Sequence, residues 1–178
     1  GAARTGVFSR MLKNAIVAPP LPDHTARVDW VAGASVLVRA KMLDEIGLFD
    51  ETFFLYFEET DLCKRAARAG WSCWYLPQSR VVHIGSVSTG MKEWQRMPSY
   101  WFDSRRHYFV KNHGSVYAAA ALVARLAGGA IHHLRCAISG KNSQDPAYFL
   151  RDLARHGFGL SLDRQPATSR RPATEDRP

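Results

Sequence analysis

The sequence predicts an α/β fold that continues into a helical C-terminal extension. Two observations carry the first part. An apolar, β-branched run from Val28 to Val38 reads as a buried strand, and behind it short helices lead to a second strand at Trp71–Leu76. A third observation carries the extension. Beyond residue 93 the chain turns to aromatics and bases, then to a 16-residue apolar run, Val116–Ile131, broken by Arg125.

Taken in order, residues 1–27 are irregular, with Pro19, Pro20 and Pro22 close together, and read as a linker or a surface loop. Gly33 lies inside the first strand, where glycine suggests close approach by another backbone or a ligand. Lys41–Ile46 reads as a short helix stopped by Gly47. Leu48–Phe57 is an aromatic-rich connector. A second helix follows from about Glu58 to Ala69. It has Glu58, Glu59 and Asp61 at its start, Lys64, Arg65 and Arg68 toward its end, and Gly70 beyond. That polarity complements the helix dipole. Trp71–Leu76 is a strand halted by Pro77, and Arg80–His83 is a short strand running into the Gly85–Gly90 loop. The Val116–Ile131 run falls short of the roughly 20 residues that span a bilayer comfortably. It is expected to lie in a membrane interface or to pack on the domain. Residues 165–178, rich in Pro, Arg and Thr, are expected to be disordered.

With 178 residues, 46% hydrophobic and 22% charged, the chain suits one domain with a real core and is not wholly disordered. Its net charge of +8 suits anionic partners: nucleic acid, phosphate-bearing substrates or an anionic membrane face. Much of the excess lies in Arg105, Arg106, Lys111, Arg125, Arg135, Lys141 and Arg151, apart from residues 28–90, where the chemistry is expected. No nucleic-acid motif accompanies it, so nucleic acid is not an expected partner. Three cysteines without a CxxC pair indicate neither a disulfide framework nor a zinc site, which fits a reducing cytoplasm. The chain opens on Gly1 with no signal peptide and reads as a fragment or a processed product.

The sharpest chemical feature is Glu58-Glu59-Thr60-Asp61. Glu58 and Asp61 share a helix face at i, i+3, and Glu59 is turned about 100° away. Free N–H groups at a helix start favour the ionised carboxylate, and such a carboxylate beside an apolar wall can take a proton from a hydroxyl. The same residues also suit ordinary capping, with Asp61 and Arg65 as an i, i+4 pair. His83, at a strand end before a Gly/Ser loop, is a candidate metal or phosphate ligand, or equally a surface or hydrogen-bonded core residue. Trp74 and Phe53 are assigned to the core, whereas Trp30, just before Gly33, stays open between the core and stacking on a sugar ring.

These pieces stand in a telling order: Val28-Asp29-Trp30-Val31-Ala32-Gly33-Ala34, then Gly47-Leu48-Phe49-Asp50-Glu51, then Phe53 through Arg65 (FFLYFEETDLCKR). Gly70-Trp71, Tyr75-Leu76-Pro77, Val81-Val82-His83 and Ser88 follow, with a weaker echo over Arg106–Gly114. The order resembles the C-terminal half of the rhamnosyltransferase-like family 2 glycosyltransferases.

The resemblance implies the acceptor-side half of a Rossmann-like nucleotide-diphospho-sugar transferase fold, a mixed sheet with flanking helices. On this reading residues 1–27 are a linker or a remnant of a donor-binding half. Residues 28–92 are the acceptor and catalytic half, 93–164 a helical, membrane-associated extension, and 165–178 a tail. The family's catalytic base is the second acid of a Glu-Asp motif. That position is Glu59 here, one methylene longer, with Glu58 as the alternative base. Glu58 and Asp61 would orient the base or the acceptor. Trp30, Gly33 and Ala34 would shape the acceptor floor, and His83 would reach the metal–diphosphate. The implied partners are a nucleotide diphosphate sugar, a glycan or lipid-linked acceptor and an anionic membrane surface on the cytoplasmic side. The implied cofactor is a divalent metal, Mn or Mg, held mainly by the donor half. A catalytically inactive remnant that only binds glycan is the alternative.

Overall fold

The computed structural model describes residues 21–82, 95–140, 142–143 and 145–159. Strand β1 (Ala26–Val28) pairs antiparallel with β2 (Cys73–Tyr75), placing Ala26 opposite Tyr75, Arg27 opposite Trp74 and Val28 opposite Cys73. Between the strands lie helices α1 (Ala40–Ile46) and α2 (Glu58–Arg68). Helices α3 (Ser99–His113), α4 (Ser115–Ile138) and α5 (Phe149–Gly157) follow. The α/β character and both short helices match the sequence reading. α1 stops where Gly47 takes φ 81°, a conformation that costs a residue with a β-carbon about 1–2 kcal/mol.

β1 shares only Val28 with the apolar run expected to form a strand, and Ala26 and Arg27 fall in the stretch read as a linker. Residues 29–39 form a turn and open loop, and Leu37 is 99% exposed. A strand exists only where another completes its ladder, and among the described residues β2 meets Ala26–Val28 alone. The described sheet is therefore an antiparallel pair, not the expected mixed sheet. Arg80–Val82 form no ladder, and His83 lies outside the described residues. Trp74, assigned to the core, is 55% exposed, because the strand alternation turns Cys73 and Tyr75 inward instead. Phe53 is buried as expected.

Two apolar clusters hold the chain. Met42, Leu62 and Ala66 pack with Leu43, Ile46 and Trp71 where α1 meets α2. Phe102, Leu122, Phe149 and Leu153 pack with Met97, Trp101, Leu126 and Leu150 where α3, α4 and α5 meet. Close approach of α5 to α4 uses glycine: a β-carbon on Gly157 would stand 2.5 Å from Leu122 Cδ2. α4 is longer than the apolar run, at 24 residues or about 36 Å. By length and composition it is long and apolar enough to cross a membrane. One face rests on α3 and α5, and the other exposes Val116, Val123, Ile131, Leu134 and Ile138.

Candidate active site

The connector into α2 is strained. Tyr56 and Phe57 both take φ 70°, left-handed values that cost each non-glycine residue about 1–2 kcal/mol. Such a pair persists only if its surroundings over-determine it. Ser104 Oγ on α3 donates to the Leu55 carbonyl at 2.9 Å. The Phe57 ring lies against Tyr108 and Trp101 at centroid distances of 5.6 and 6.0 Å. The Asp61 N–H then bonds the Phe57 carbonyl at 2.8 Å, the first bond of the helix ladder. The first turn of α2, with Glu58, Glu59 and Asp61, is thus located by a connector clamped onto α3.

The three acids meet different fates. Asp61 is fully buried. Its carboxylate accepts from Arg65 Nε at 2.9 Å and from Lys111 Nζ and Asn112 Nδ2 at 2.8 Å each. Burial alone would raise its pKa, but these three donors outweigh it and the net shift is downward. Arg65 carries the network on to the carbonyls of Ile46 and Leu48, each at 2.7 Å, and so ties the end of α1 to α2. Lys111 also reaches Asp50 at 2.8 Å, and His107 meets the same carboxylate at 2.9 Å. His107 and then Lys111 hold the Asp50 carboxyl well below the usual range. Asp61 has no exposed surface and serves as the hub joining α2 to α3.

Glu58 is half-buried, and its Oε2 is buried without a hydrogen-bond partner. Burial pushes its pKa up; its own N–H opposes the shift and the neighbouring Glu59 charge adds to it. Glu59 lies beside the loop after β1: a β-carbon on Gly33 would stand 3.8 Å from the Glu59 β-carbon. Of the residues expected to form an acceptor floor, the structure thus brings Gly33 beside Glu59. Trp30 is half-exposed and Ala34 exposed, and neither makes a hydrogen bond or ring contact among the described residues.

No three His, Cys, Asp or Glu side chains gather as a metal site among the described residues. Asp50 and Asp61 share the Lys111 ammonium and Asp61 also pairs with Arg65, so a divalent cation would meet carboxylates already neutralised. The described residues do not fit a divalent metal, and His83 lies outside them. What sequence reasoning missed is the supporting set on α3: Ser104, His107, Lys111 and Asn112. Its trace was the weak family echo over Arg106–Gly114, which contains three of the four.

The comparisons with known proteins bear on this same stretch. The family model of the glycosyltransferase like family 2 matches residues 12–106, more than half of the chain. Over 63 residues the chain is 41% identical to N-acetylglucosaminyl-diphospho-decaprenol L-rhamnosyltransferase of Mycobacterium tuberculosis (strain H37Rv), covering 35% of this chain and 20% of that protein. It is 39% identical over 56 residues to rhamnosyltransferase WbbL of Escherichia coli (strain K12), covering 32% and 21%. It is 26% identical over 98 residues to the low-salt glycan biosynthesis hexosyltransferase Agl10 of Haloferax volcanii, covering 53% and 31%. The chain thus spans about a fifth of the length of the two rhamnosyltransferases. No solved structure matches it. By the family match, this chain belongs to the glycosyltransferase-like family 2.

Proposed function

We propose that this chain carries the acceptor-side, base-bearing part of an inverting glycosyltransferase. The enzyme moves a hexose or deoxyhexose, such as rhamnose, from a nucleotide diphosphate sugar to a hydroxyl of a glycan or lipid-linked acceptor. The observation that carries this reading is the placement of Glu59, in the first turn of a helix and beside Gly33. A carboxylate so placed can accept a proton from an acceptor hydroxyl. Glu59 takes the proton of the acceptor hydroxyl as that oxygen bonds the anomeric carbon and the nucleotide diphosphate departs with the old C–O electron pair. A single displacement of this kind inverts the anomeric centre. Glu58, whose burial favours its protonated form, orients the acceptor by hydrogen bonding. Rhamnose as the sugar rests on the likeness to the two rhamnosyltransferases.

The exposed apolar face of α4 supports peripheral association with an anionic cytoplasmic membrane surface, where a lipid-linked acceptor would be met. α4 lies in the interface rather than across the bilayer. Its other face rests on α3 and α5, and the ion pairs that Asp103 on α3 makes with His156 on α5, and Asp152 on α5 with Arg96 ahead of α3, would be costly in hydrocarbon.

The test is a transfer assay on the transferase that carries this chain, with a nucleotide diphosphate sugar and a polyprenyl-diphosphate-linked acceptor. Proton NMR of the product reads the anomeric configuration. Transfer with inversion is expected; retention of configuration would overturn the single-displacement mechanism.

A further inference from the structure

Arg105 and Arg106 on α3 and Arg125 on α4 stand without acidic partners among the described residues. The described acids of the helical region are already engaged: Asp103 with His156, Asp145 with His133, and Asp152 with Arg96 and Arg151. Arg105, Arg106 and Arg125 make no ion pair among the described residues. Arg105 lies over the Phe109 ring at 4.7 Å and Arg125 over the Phe149 ring at 5.0 Å. Arg105 and Arg106 line a cleft of about 110 Å³ with Phe109, Ser115, Ala119 and Phe158. On the same measure one water needs about 10–15 Å³, so the cleft has room for a phosphate group.

The local electrostatics calls for an anion there. Burial and then the nearby Arg125 charge lower the Arg105 pKa, so the two cations oppose one another. The end of α5 beside Arg106 offers only the partial negative charge of a helix C-terminus. The first turn of α4, at Ser115, opens on the cleft and adds partial positive charge. Guanidinium groups suit phosphate oxygens because their planar N–H forks match the geometry.

The position of the cleft selects the source of the phosphate. Ala119 lines it and also borders the exposed face of α4 that carries Val116 and Val123. A phosphate bound there would have its organic substituent beside an apolar helix surface. We propose that Arg105 and Arg106, supported by Arg125, bind the headgroup phosphate of an anionic membrane lipid while the α4 face meets the acyl region. This rests on the membrane association proposed above and assigns it a site.

The test uses the full 178-residue chain and vesicle sedimentation at low salt. Vesicles of phosphatidylcholine alone are compared with phosphatidylcholine mixed with phosphatidylglycerol. The variants are Arg105→Gln/Arg106→Gln and, as a charge-matched control on the other region, Arg27→Gln/Lys41→Gln. The chain should bind mixed vesicles and leave the neutral ones. The Arg105/Arg106 variant should bind mixed vesicles roughly 30-fold more weakly, while the control loses little. Equal losses in the two variants would overturn the site and leave membrane association standing as diffuse attraction. If the unaltered chain fails to bind mixed vesicles, both the site and the association fall. A thermal shift with inorganic pyrophosphate that needs Arg105 and Arg106, without vesicle binding, would overturn the lipid source. The variant should melt like the parent, since neither arginine holds an ion pair; a melt that collapsed would overturn the reading of them as unmatched.

Discussion

Where α1 meets α2, the buried apolar side chains are Met42, Leu62 and Ala66; where α3, α4 and α5 meet, they are Phe102, Leu122, Phe149 and Leu153. The second set includes two aromatic rings 5.6 Å apart and seals a three-helix corner. The first backs a sheet of two three-residue strands, and such a pair is marginal in water without further packing. The region around α2 makes up the difference with polar bonds. Asp61, Arg65, Lys111, Asn112 and Asp50 form one connected network, and α3 supplies the lysine and the asparagine. The lesson is directional. The helical corner can hold itself by burial, whereas the region bearing Glu59 borrows rigidity from α3.

Removing Asp61 should have the largest effect. Asp61→Asn leaves two cations facing a neutral group in a buried site, at a cost of about 4 kcal/mol. Hydrogen exchange should show protection lost in α2 and retained in α5; equal loss in both would dissolve the distinction between the regions. Leu153→Ala is the converse. It empties part of the helical corner, cost about 3 kcal/mol, and should expose α5 and α4 first.

Acidity sharpens the contrast with a smaller effect. Asp50 and Asp61 have depressed pKa values in the fold, so their stabilisation is complete above the ordinary carboxylate range. It is lost as pH falls through about 4 toward the folded-state values. Asp152 in α5 shares that sign, its pKa lowered by Arg96, but it is one carboxylate on a larger apolar cluster. α2 is therefore expected to loosen before α5 on acidification, which exchange measured against pH would show. Glu58 runs the other way. Its pKa is raised, so its ionisation costs stability as pH rises through the ordinary value. Glu58→Gln should stabilise the chain more at pH 7 than at pH 4 in thermal melts.

Parts of this were legible in the sequence for plain reasons. Gly47 and Gly70 mark helix ends because backbone at φ 81° and 86° favours glycine. The Asp61–Arg65 pair was readable from i, i+4 spacing and appears at 2.9 Å. The Val28–Val38 strand was misread because apolar texture signals a need for burial, not a partner to provide it. The inward turn of Asp61 was hidden because it depends on Lys111 and Asn112, some 50 residues away. The strained Tyr56-Phe57 pair leaves no local sign either, since neither residue favours a left-handed backbone. The length of α4 was underestimated because His132, His133 and Arg135 interrupt the apolar run without interrupting the helix.

The division of labour between Glu59 and Asp61 is tested most directly by Glu59→Gln in the transferase that carries this chain. The amide keeps the size and hydrogen bonding of the carboxylate but cannot take the acceptor proton. Turnover is expected to fall by about 10²–10⁴-fold, with the melting temperature and donor affinity near their original values. Near-normal turnover in Glu59→Gln, with loss of transfer in Glu58→Gln, would contradict the account and move the base to Glu58.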